Sequence, residues 1–517
     1  LNYDINDKSA LIIDMPVLNG KTEKYELTNS SIMEAELQAR YSNIRTFLIK
    51  NRENGSIAGR VAVSAFGFSG ILESEGHEIL ISKINKENDD YYAVYSLEES
   101  LIGSDKLKSW ICGTDMDIKD HQIKISNKED ALELRSEEIK MRHLRVGIAV
   151  TSSYANDIGG VDATTEEVLA SIVSVINNVN LRYNKDFSMH LDLINKTPTL
   201  FNLDATSDFF NLGIQTLGGK LLDPSQDFFN LKLLSNEYDF GQTWTTLCSD
   251  VGGVVAGDGR ACKVGTKAKG VACGPKNVSY FLSTVKHEMA HQFSVSHTWS
   301  ACTGNEGQLA TQGAYEPGSG STIMSYAGAC GPDNIAFSDD DYFHIISILQ
   351  LRGHLNNYPN CGTFGTEINN TPDPIIPNYY QSLLTIPSGT PYELTGTATD
   401  PNNDAMLYNW EQFDVGNGDP LGTNFEKGPL SRSYPPSAKG NIRLIPRLNN
   451  IINDIYDIAD RLPLATREMN WKFNVRDNNA NVGGVSSIDF KFLVDSNAGP
   501  FKFTFPVKNT DTVFQLG

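Results

Sequence analysis

The sequence predicts a chain of several domains: a β-rich first domain, an α/β second domain and a β-sandwich near the end. At 517 residues, the chain is longer than one ordinary hydrophobic core organises. Alternating apolar and polar residues are typical of its two ends, whereas strand and helix patterns alternate in the middle. The predicted segments are the first domain at 1–126, a charged connection at 127–143, the α/β domain at 144–370, a linker at 371–378, the β-sandwich at 379–497, and a further module or tail at 498–517.

Charge and hydropathy argue against two classes of partner. The formal net charge is -20 and the pI is about 4.9, so no basic field attracts phosphates, and nucleic acid is not expected as a partner. No apolar stretch approaches the ~20 residues of a membrane span. The chain opens at Leu1 without Met or a signal-peptide pattern, so we expect the numbering to begin after a removed signal peptide. No pattern indicates an oligomer, and a monomer is expected.

The cysteines are unevenly distributed. Cys112 stands alone in the first domain, whereas the α/β domain holds six: Cys248, Cys262, Cys273, Cys302, Cys330 and Cys361. An even set in one domain is typical of an extracellular disulfide framework, and the sequence does not choose among its ~15 connectivities. A reduced cytosolic protein with buried thiols is the alternative. We predict a secreted protein.

The first domain shows strand patterns, for example at 60–66 and 91–95. The segment after it, NKEDALELRSEEIKMR at 127–142, is highly charged and contains neither Gly nor Pro. It is predicted to be a solvated helix or an exposed connection, and its Arg135, Lys140 and Arg142 would suit a processing protease. The alternative is that these charged residues form ion pairs on a surface helix without any role in processing.

The α/β domain is predicted to begin with a buried strand at 144–150. Thr164 and Glu167 then form a capping-box pattern that opens a long helix, which ends near Tyr183. Further strands are expected at 190–194, 238–245 and 270–272, the last at the edge of the sheet.

Three prolines in the segment TPDPIIPN, Pro372, Pro374 and Pro377, predict a linker, because proline fixes φ and lacks the N–H that a helix needs. Short alternating segments follow, at 392–399, 406–412 and 470–475. They favour a small β-sandwich of the immunoglobulin-like type.

The segment SYFLSTVKHEMAHQF, residues 279–293, has helical apolar spacing and lacks Pro and Gly. His287 and His291 are therefore expected on one helix face, where two imidazoles point at one ion. Zinc in a catalytic site takes three protein ligands and keeps an open position for water, and His297 is the third ligand at hand. Glu288 lies beside the open position, where its carboxylate can take a proton from the zinc-bound water that attacks a peptide carbonyl.

A bare H-E-x-x-H pattern also occurs in structural helices, and the third histidine makes it specific. HEMAHQFSVSH, residues 287–297, matches H-E-x-x-H-x-x-G-x-x-H except at Ser294, where the pattern has glycine. Downstream, STIMSY contains Met324 and resembles the Met-turn. The stretch from about 144 to 358 resembles bacterial secreted reprolysin-like (adamalysin-like) metalloproteases. The resemblance rests on these two motifs and on the longer segment AYEPGSGSTIMSYAGACG at 314–331.

That resemblance implies a metzincin catalytic domain of the zincin fold. It binds Zn²⁺, with Met324 in the turn beneath the metal, and protein or peptide substrates lie antiparallel to the edge strand expected at 270–272. Tyr326 is similar in position to a tyrosine of astacins and serralysins, so it is a candidate transition-state hydrogen-bond donor or else a structural tyrosine packed under the helix. The family glycine permits a turn at φ > 0, so Ser294 either uses a different turn or carries strain.

The resemblance also implies that the first domain is a prodomain, which inhibits the catalytic domain of the same chain. Cys112, in the segment WICGTD, looks like a cysteine switch that fills the open coordination position in the latent form. A buried structural cysteine is the alternative.

In the β-sandwich, the segment DPNNDA resembles the D-P-x-x-D loops of immunoglobulin-like bacterial domains. Asp400, Asn402 and Asp404 are therefore candidate ligands of Ca²⁺. A β-turn rich in Asp and Asn explains the same letters.

Together, the patterns predict a secreted zinc endopeptidase in its latent proenzyme form. The alternative is a catalytically inactive zinc-binding adhesion or interaction protein, which the departure at Ser294 favours and the presence of Glu288 opposes. A zinc hydrolase of another substrate class, on another zincin fold, is a second alternative, which the Met-turn opposes.

Overall fold

The structure is a computed structural model of the chain. It describes residues 11–52, 57–74, 77–84, 91–96, 112–114, 137–210, 216–257, 259–274, 278–381, 383–423, 426–479 and 482–501. Arg135, most of the predicted charged connection and most of the predicted tail lie outside the described residues.

The described part of the first domain is one antiparallel sheet whose seven strands follow each other in sequence order. These are β1 Leu11–Pro16, β2 Thr22–Asn29, β3 Arg45–Asn51, β4 Ile57–Ser64, β5 Gly67–Ser74, β6 His77–Lys83 and β7 Tyr92–Ser96, with helix α1 (Ala35–Arg40) between β2 and β3. Its core includes the buried side chains of Tyr25, Phe47 and Val61. The prediction of a β-rich first domain is confirmed.

The α/β domain is built on a sheet of six strands: β8 Glu138–Val150, β9 Met189–Leu193, β10 Phe240–Thr245, β11 Gly253–Val255, β12 Gly270–Cys273 and β13 Thr363–Asn370. Its helices are α2 Ser152–Gly159, α3 Thr165–Phe187, α4 Leu222–Lys232, α5 Val278–Gln292 and α6 Ile345–Asn357. Strand β8 is parallel to β9 and β10, and β10 is parallel to β12, whereas β11 and β13 run antiparallel to their neighbours. Helix α3 begins at the predicted capping box of Thr164 and Glu167.

Strand β8 begins earlier than the sequence predicts. Lys140 pairs with Ile368 of β13, and Arg142 lies 4.6 Å from the centre of the Phe364 ring. The prediction of a helix or an exposed connection is therefore wrong for 138–142, because this segment is a strand of the central sheet. Lys140 and Arg142 lie in paired backbone and do not fit the role of an exposed cleavage site.

The first domain packs on helix α3 through charged side chains. The fully buried Arg60 of β4 donates to Asn177 of α3 at 2.8 Å. Arg182 of the same helix lies 3.3 Å from Glu73 and 2.9 Å from Glu78, both of the first domain. These contacts fix the first domain against the helix that covers the sheet of the α/β domain.

The C-terminal part contains β14 Asp373–Ile375, β15 Leu384–Pro387, β16 Tyr392–Thr395, β17 Thr397–Thr399, β18 Met406–Gln412, β19 Ile442–Ile445, α7 Leu448–Asn453, β20 Arg467–Asp477 and β21 Val485–Asp495. The strands form a four-stranded sheet in the order β15-β21-β20-β18 and two pairs, β14 with β17 and β16 with β19. The linker predicted at 371–378 is wrong in part, because β14 is paired there. The immunoglobulin-like arrangement stays a prediction.

Buried charges join the C-terminal part to the α/β domain. Arg476 of β20 lies 3.0 Å from the buried carboxylate of Asp186 at the end of α3, and it donates to the Phe343 carbonyl at 2.8 Å. Glu411 of β18 accepts from the backbone N–H of Ile345, at the start of α6, at 2.8 Å. The two parts therefore share a polar interface whose charged side chains are buried.

Three disulfides lie in the α/β domain: Cys248–Cys273, Cys262–Cys361 and Cys302–Cys330. Cys112 is buried and is not disulfide-bonded. Within the described ranges, no helix combines the length and the apolar character that a membrane crossing requires.

Substituting Arg476→Met removes the partner of Asp186 while keeping most of the side-chain volume. Because Asp186 is then left buried without its cation, we expect the free energy of unfolding to fall by about 3–5 kcal/mol. Urea denaturation, followed by tryptophan fluorescence, measures the loss. The control is Lys491→Met, which removes an exposed ion pair with Glu468 and should change stability by less than about 1 kcal/mol. Equal effects of the two substitutions would contradict the buried coupling.

Candidate metal centre

Two of the predicted metal ligands lie on helix α5. The hydrophobic core of the α/β domain buries Leu282, Val285 and Met289 of this helix, and the four-residue spacing places His287 and His291 on one face. Both imidazoles are fully buried. The helical periodicity therefore brings the first two donors together inside the protein.

The structure adds His297 to these two, and all three imidazoles are oriented in the same way. Each Nδ1 atom faces a backbone carbonyl oxygen: His287 with Ile323 at 2.8 Å, His291 with Val295 at 2.6 Å, and His297 with Gln308 at 3.2 Å. A carbonyl oxygen only accepts, so each Nδ1 carries the proton and each Nε2 presents a lone pair.

The three Nε2 atoms converge on one point. The His291 Nε2 atom lies 3.0 Å from that of His287 and 3.2 Å from that of His297. Burial lowers the pKa of His287 and of His297 well below the usual value, so both are held as neutral ligands. Three lone pairs directed at one another repel, and a metal ion between them turns this repulsion into coordination. The donor set fits a metal.

Cys112 reaches the same point from the first domain. Its Sγ atom and nitrogens of the three histidines all lie within 4.8 Å of one another. Burial, together with the nearby carboxylate of Glu288, raises the pKa of the Cys112 thiol to about 11. A thiolate at this position therefore requires a cation beside it, and one metal ion would bind all four side chains.

The chain reaches His297 through a left-handed turn at Ser294, whose φ is 64°. The Val295 N–H donates to the Ala290 carbonyl at 3.2 Å, and the Ser294 N–H donates to the His291 carbonyl at 3.0 Å. Of the two sequence-based alternatives, the strained one is therefore correct: serine takes the positive φ that glycine adopts easily.

Met324 is fully buried in the hydrophobic core of the α/β domain, and its carbonyl accepts from the Thr298 N–H at 3.1 Å. The turn around it is held by Glu316, a buried carboxylate that accepts from the Thr298 hydroxyl at 2.6 Å and from the Thr322 hydroxyl at 2.5 Å. The turn thus fixes Ile323, whose carbonyl orients His287.

One edge of the sheet is formed by β11, and the prediction that residues 270–272 form the edge is wrong. Strand β12 pairs on one side with β10 and on the other with β11, because the loop after Cys248 returns as one further strand. Gly253 of β11 lies against Glu288: a Cβ atom on Gly253 would stand 2.3 Å from Glu288 Cγ. Glycine is therefore required there for the carboxylate to fit.

Residues Cys112 to Thr114 lie parallel to this edge strand. The Gly113 N–H donates to the Gly253 carbonyl at 2.8 Å, and the Val255 N–H donates to the Thr114 hydroxyl at 2.9 Å. The same hydroxyl donates to the Glu288 carboxylate at 3.4 Å. A short segment of the first domain thus contacts the edge strand, the glutamate and the metal ligands.

Tyr326 stands between this segment and the third histidine. Its hydroxyl lies 3.2 Å from the Cys112 carbonyl and also contacts the Gln308 side-chain oxygen. Its ring centre lies 4.6 Å from that of His297. Tyr326 is fully buried, and burial raises its pKa, so it is held as a protonated hydrogen-bond donor.

A second group of acidic side chains lies in the C-terminal part. Carboxylate oxygens of Asp400, Asp404 and Asp477 lie within 4.8 Å of one another. The side-chain oxygen of Asn402 instead accepts from the backbone N–H of Asn370 at 3.1 Å. The structure therefore brings together two of the three predicted calcium ligands and adds Asp477, which is distant in the sequence.

Sequence reasoning missed three residues of the centre. Glu316 could have been found as a carboxylate at the start of a Gly- and Ser-rich loop that leads to the Met-turn, and Thr114 as the polar residue two positions after Cys112. Gln308 contributes its backbone carbonyl to His297, and nothing in its residue type signals that role.

A histidine-bearing helix followed by a methionine turn is the arrangement that distinguishes metzincins among metallopeptidases. Residues 140–353 match the model of the Metallo-peptidase family M12B, Reprolysin-like, which confirms the resemblance. Among solved structures, metalloproteinase-II from Bacteroides fragilis is matched over 66% of this chain and 92% of its own, at 10% identity and a TM-score of 0.36, which is too low to establish a shared fold. No curated protein matches the chain.

Proposed function

We propose that the chain is a zinc endopeptidase in which His287, His291 and His297 hold Zn²⁺. The observation that carries the proposal is the convergence of the three Nε2 atoms beside the Glu288 carboxylate. Nitrogen ligands in a compact, buried set suit zinc, and three protein ligands leave room for a fourth.

When bound, the metal supplies a Lewis acid that polarises the peptide carbonyl. Glu288 is the general base: it takes a proton from the attacking water and returns it to the leaving amine. Strand β11 offers the carbonyl of Gly253 and the N–H of Val255 to an extended substrate, as it does to residues 112–114. The hydroxyl of Tyr326 is the proposed donor to the oxyanion.

Substituting Glu288→Gln tests the base. The amide keeps the size of the side chain and cannot take a proton, so we expect peptide hydrolysis to fall by about 10²–10⁴-fold. The substitution is made in two parent proteins, the full chain and the Cys112→Ala chain. For each parent and its Glu288→Gln variant, cleavage of a fluorogenic peptide library and the zinc content per chain are measured.

Zinc removal by a chelator and its restoration serve as the matched control, and activity should follow the metal. Activity that survives in Glu288→Gln would refute the assignment. If the full chain and the Cys112→Ala chain both bind zinc but neither cleaves any peptide, the alternative of an inactive zinc-binding adhesion protein is favoured instead.

We propose further that the first domain is a prodomain and holds the enzyme latent through Cys112. Three contacts support this: the Cys112 Sγ atom lies among the histidines, the Thr114 hydroxyl contacts Glu288, and the segment takes the hydrogen-bonding groups of β11. The inhibitor thus reaches the metal ligands, the base and the substrate strand at once.

Two substitutions test this latency. Removing the ligand with Cys112→Ala should raise the basal hydrolysis rate of the intact chain at least ~10-fold, because metal–thiolate bonding is the strongest of the three contacts. Thr114→Val keeps the side-chain volume and removes the contact with Glu288, so a smaller rise is expected.

Thr28→Val, an exposed threonine on the first domain, is the control. If Cys112→Ala and Thr114→Val bind zinc but hydrolyse peptides no faster than Thr28→Val, the proposed latency through Cys112 is refuted. The proposed protease activity is not affected by that result.

We propose that the protein is secreted by a bacterium and acts as a monomer on protein or peptide substrates. Three disulfides support an oxidising compartment. The bacterial origin rests on the resemblance of the motifs.

We also propose that the C-terminal part binds Ca²⁺ through Asp400, Asp404 and Asp477. Calcium takes several carboxylate oxygens, and the carboxylates of Asp400 and Asp404 in the loop lie close to that of Asp477 on β20. Burial raises the pKa of Asp477 to about 7, so a cation here would stabilise a carboxylate that is costly to ionise alone.

Calorimetric titration of the full chain with CaCl₂ tests this site. We expect one binding event that weakens at least ~10-fold in Asp404→Asn, because one charged ligand is lost. Asp454→Asn, on an exposed turn, should bind as the wild type does. Equal binding by both variants, or none by the wild type, would rule the site out.

A further inference from the structure

The turn between the second and third histidines is tied to a distant helix by a contact that the proposed mechanism does not use. The Ser294 hydroxyl lies 2.9 Å from Nδ1 of His354, a buried residue on helix α6. Ser294 has a φ of 64°, a conformation that costs serine more than glycine. A hydrogen bond made in this conformation offsets part of that cost.

The direction of the hydrogen bonds around His354 is fixed. Its Nε2 atom lies 3.1 Å from the Ala261 carbonyl oxygen, which can only accept, so Nε2 carries the proton. Nδ1 is then the acceptor, and the Ser294 hydroxyl donates to it. Burial lowers the pKa of His354 to about 4, which keeps the imidazole neutral and this pattern intact near neutrality.

The loop at 259–261 closes the arrangement around the end of helix α5. The Gly259 N–H donates to the His291 carbonyl at 2.9 Å, and the Ala261 N–H donates to the Gln292 carbonyl at 2.8 Å. A Cβ atom on Gly259 would stand 2.3 Å from the Ser294 hydroxyl oxygen. The space that a side chain at 259 would fill is therefore occupied by the hydroxyl of Ser294.

The turn matters for the metal because Val295 follows Ser294 directly. The Val295 carbonyl orients His291 through a 2.6 Å contact with its Nδ1, and two residues further on the chain delivers His297. A shift of Ser294 therefore moves two of the three ligands together.

We propose that His354 is a positioning residue of the metal centre. The hydrogen bond from the Ser294 hydroxyl to His354 holds in place the turn between His291 and His297. The usual glycine of the pattern provides the turn by conformational freedom; this chain provides it by a hydrogen bond to His354. The inference rests on the proposed function only in that the three histidines hold zinc.

A double-mutant cycle tests this coupling in the full chain. The readouts are the rate of zinc release to a chromogenic chelator and the visible absorption of the Co²⁺-substituted protein, which reports ligand geometry. In the Ser294 chain, His354→Phe should speed zinc release by about 10–100-fold, the effect usual for lost outer contacts of a ligand. In the Ser294→Gly chain, the same substitution should change release less than about threefold, because glycine needs no anchor.

His190→Phe, which alters another buried histidine away from the centre, is the control and should leave zinc release unchanged. If His354→Phe does not fold, Ser294→Ala serves instead: it keeps the positive φ, loses the hydroxyl and should release zinc faster than Ser294→Gly.

Three outcomes are distinguishable. Coupling between the two sites supports the proposal. Equal effects of His354→Phe in both backgrounds, or Ser294→Ala releasing zinc no faster than Ser294→Gly, overturn it while the metal site stands. A wild-type chain that binds neither Zn²⁺ nor Co²⁺ overturns the proposed function itself.

Discussion

The hydrogen bond from each ligand histidine to a backbone carbonyl is the interaction on which the centre depends. It fixes the proton on Nδ1 and so decides which nitrogen faces the other two rings. With three such bonds in place, the three Nε2 atoms face one another at about hydrogen-bond distance and none of them has a proton to give. A cation between the three nitrogens would make this arrangement favourable, so the backbone conformation supports the proposed metal centre.

The three carbonyls come from three turns that lie outside helix α5. Ile323 belongs to the methionine turn, which the buried Glu316 holds. Val295 follows the left-handed turn at Ser294. Gln308 ends the short 3₁₀ helix Glu306–Gln308, and the Cys302–Cys330 disulfide encloses both this helix and the methionine turn. Because none of the three carbonyls belongs to helix α5, the centre is assembled only when the whole domain folds, and helix α5 alone cannot hold a metal in this way.

Local patterns in the sequence predict the parts of this centre that local physics determines. The helical spacing of α5 places His287 and His291 on one face, and the capping box at Thr164 marks the start of α3. The positive φ at Ser294 could also be anticipated, since the family pattern has glycine there. In each case, neighbours within about one helical turn set the conformation.

The rest depends on contacts between distant residues, which one sequence does not reveal. Strand β11 becomes the edge only because the loop after Cys248 folds back on β12. Asp477 joins Asp404 from a strand more than 70 residues away. The partner of Ser294 lies on helix α6, and residues 138–142 of the charged run belong to strand β8 because they pair with β13 of the central sheet. Tertiary packing overrides local propensity at these positions.

X-ray absorption at the zinc edge, on the full chain as purified, tests the central claim most directly. The account predicts three imidazole nitrogens at about 2.0–2.1 Å and one sulfur at about 2.3 Å. Zinc surrounded by oxygen, or by fewer than three histidines, would contradict the assignment of the centre. Three nitrogens without sulfur would contradict only the binding of Cys112.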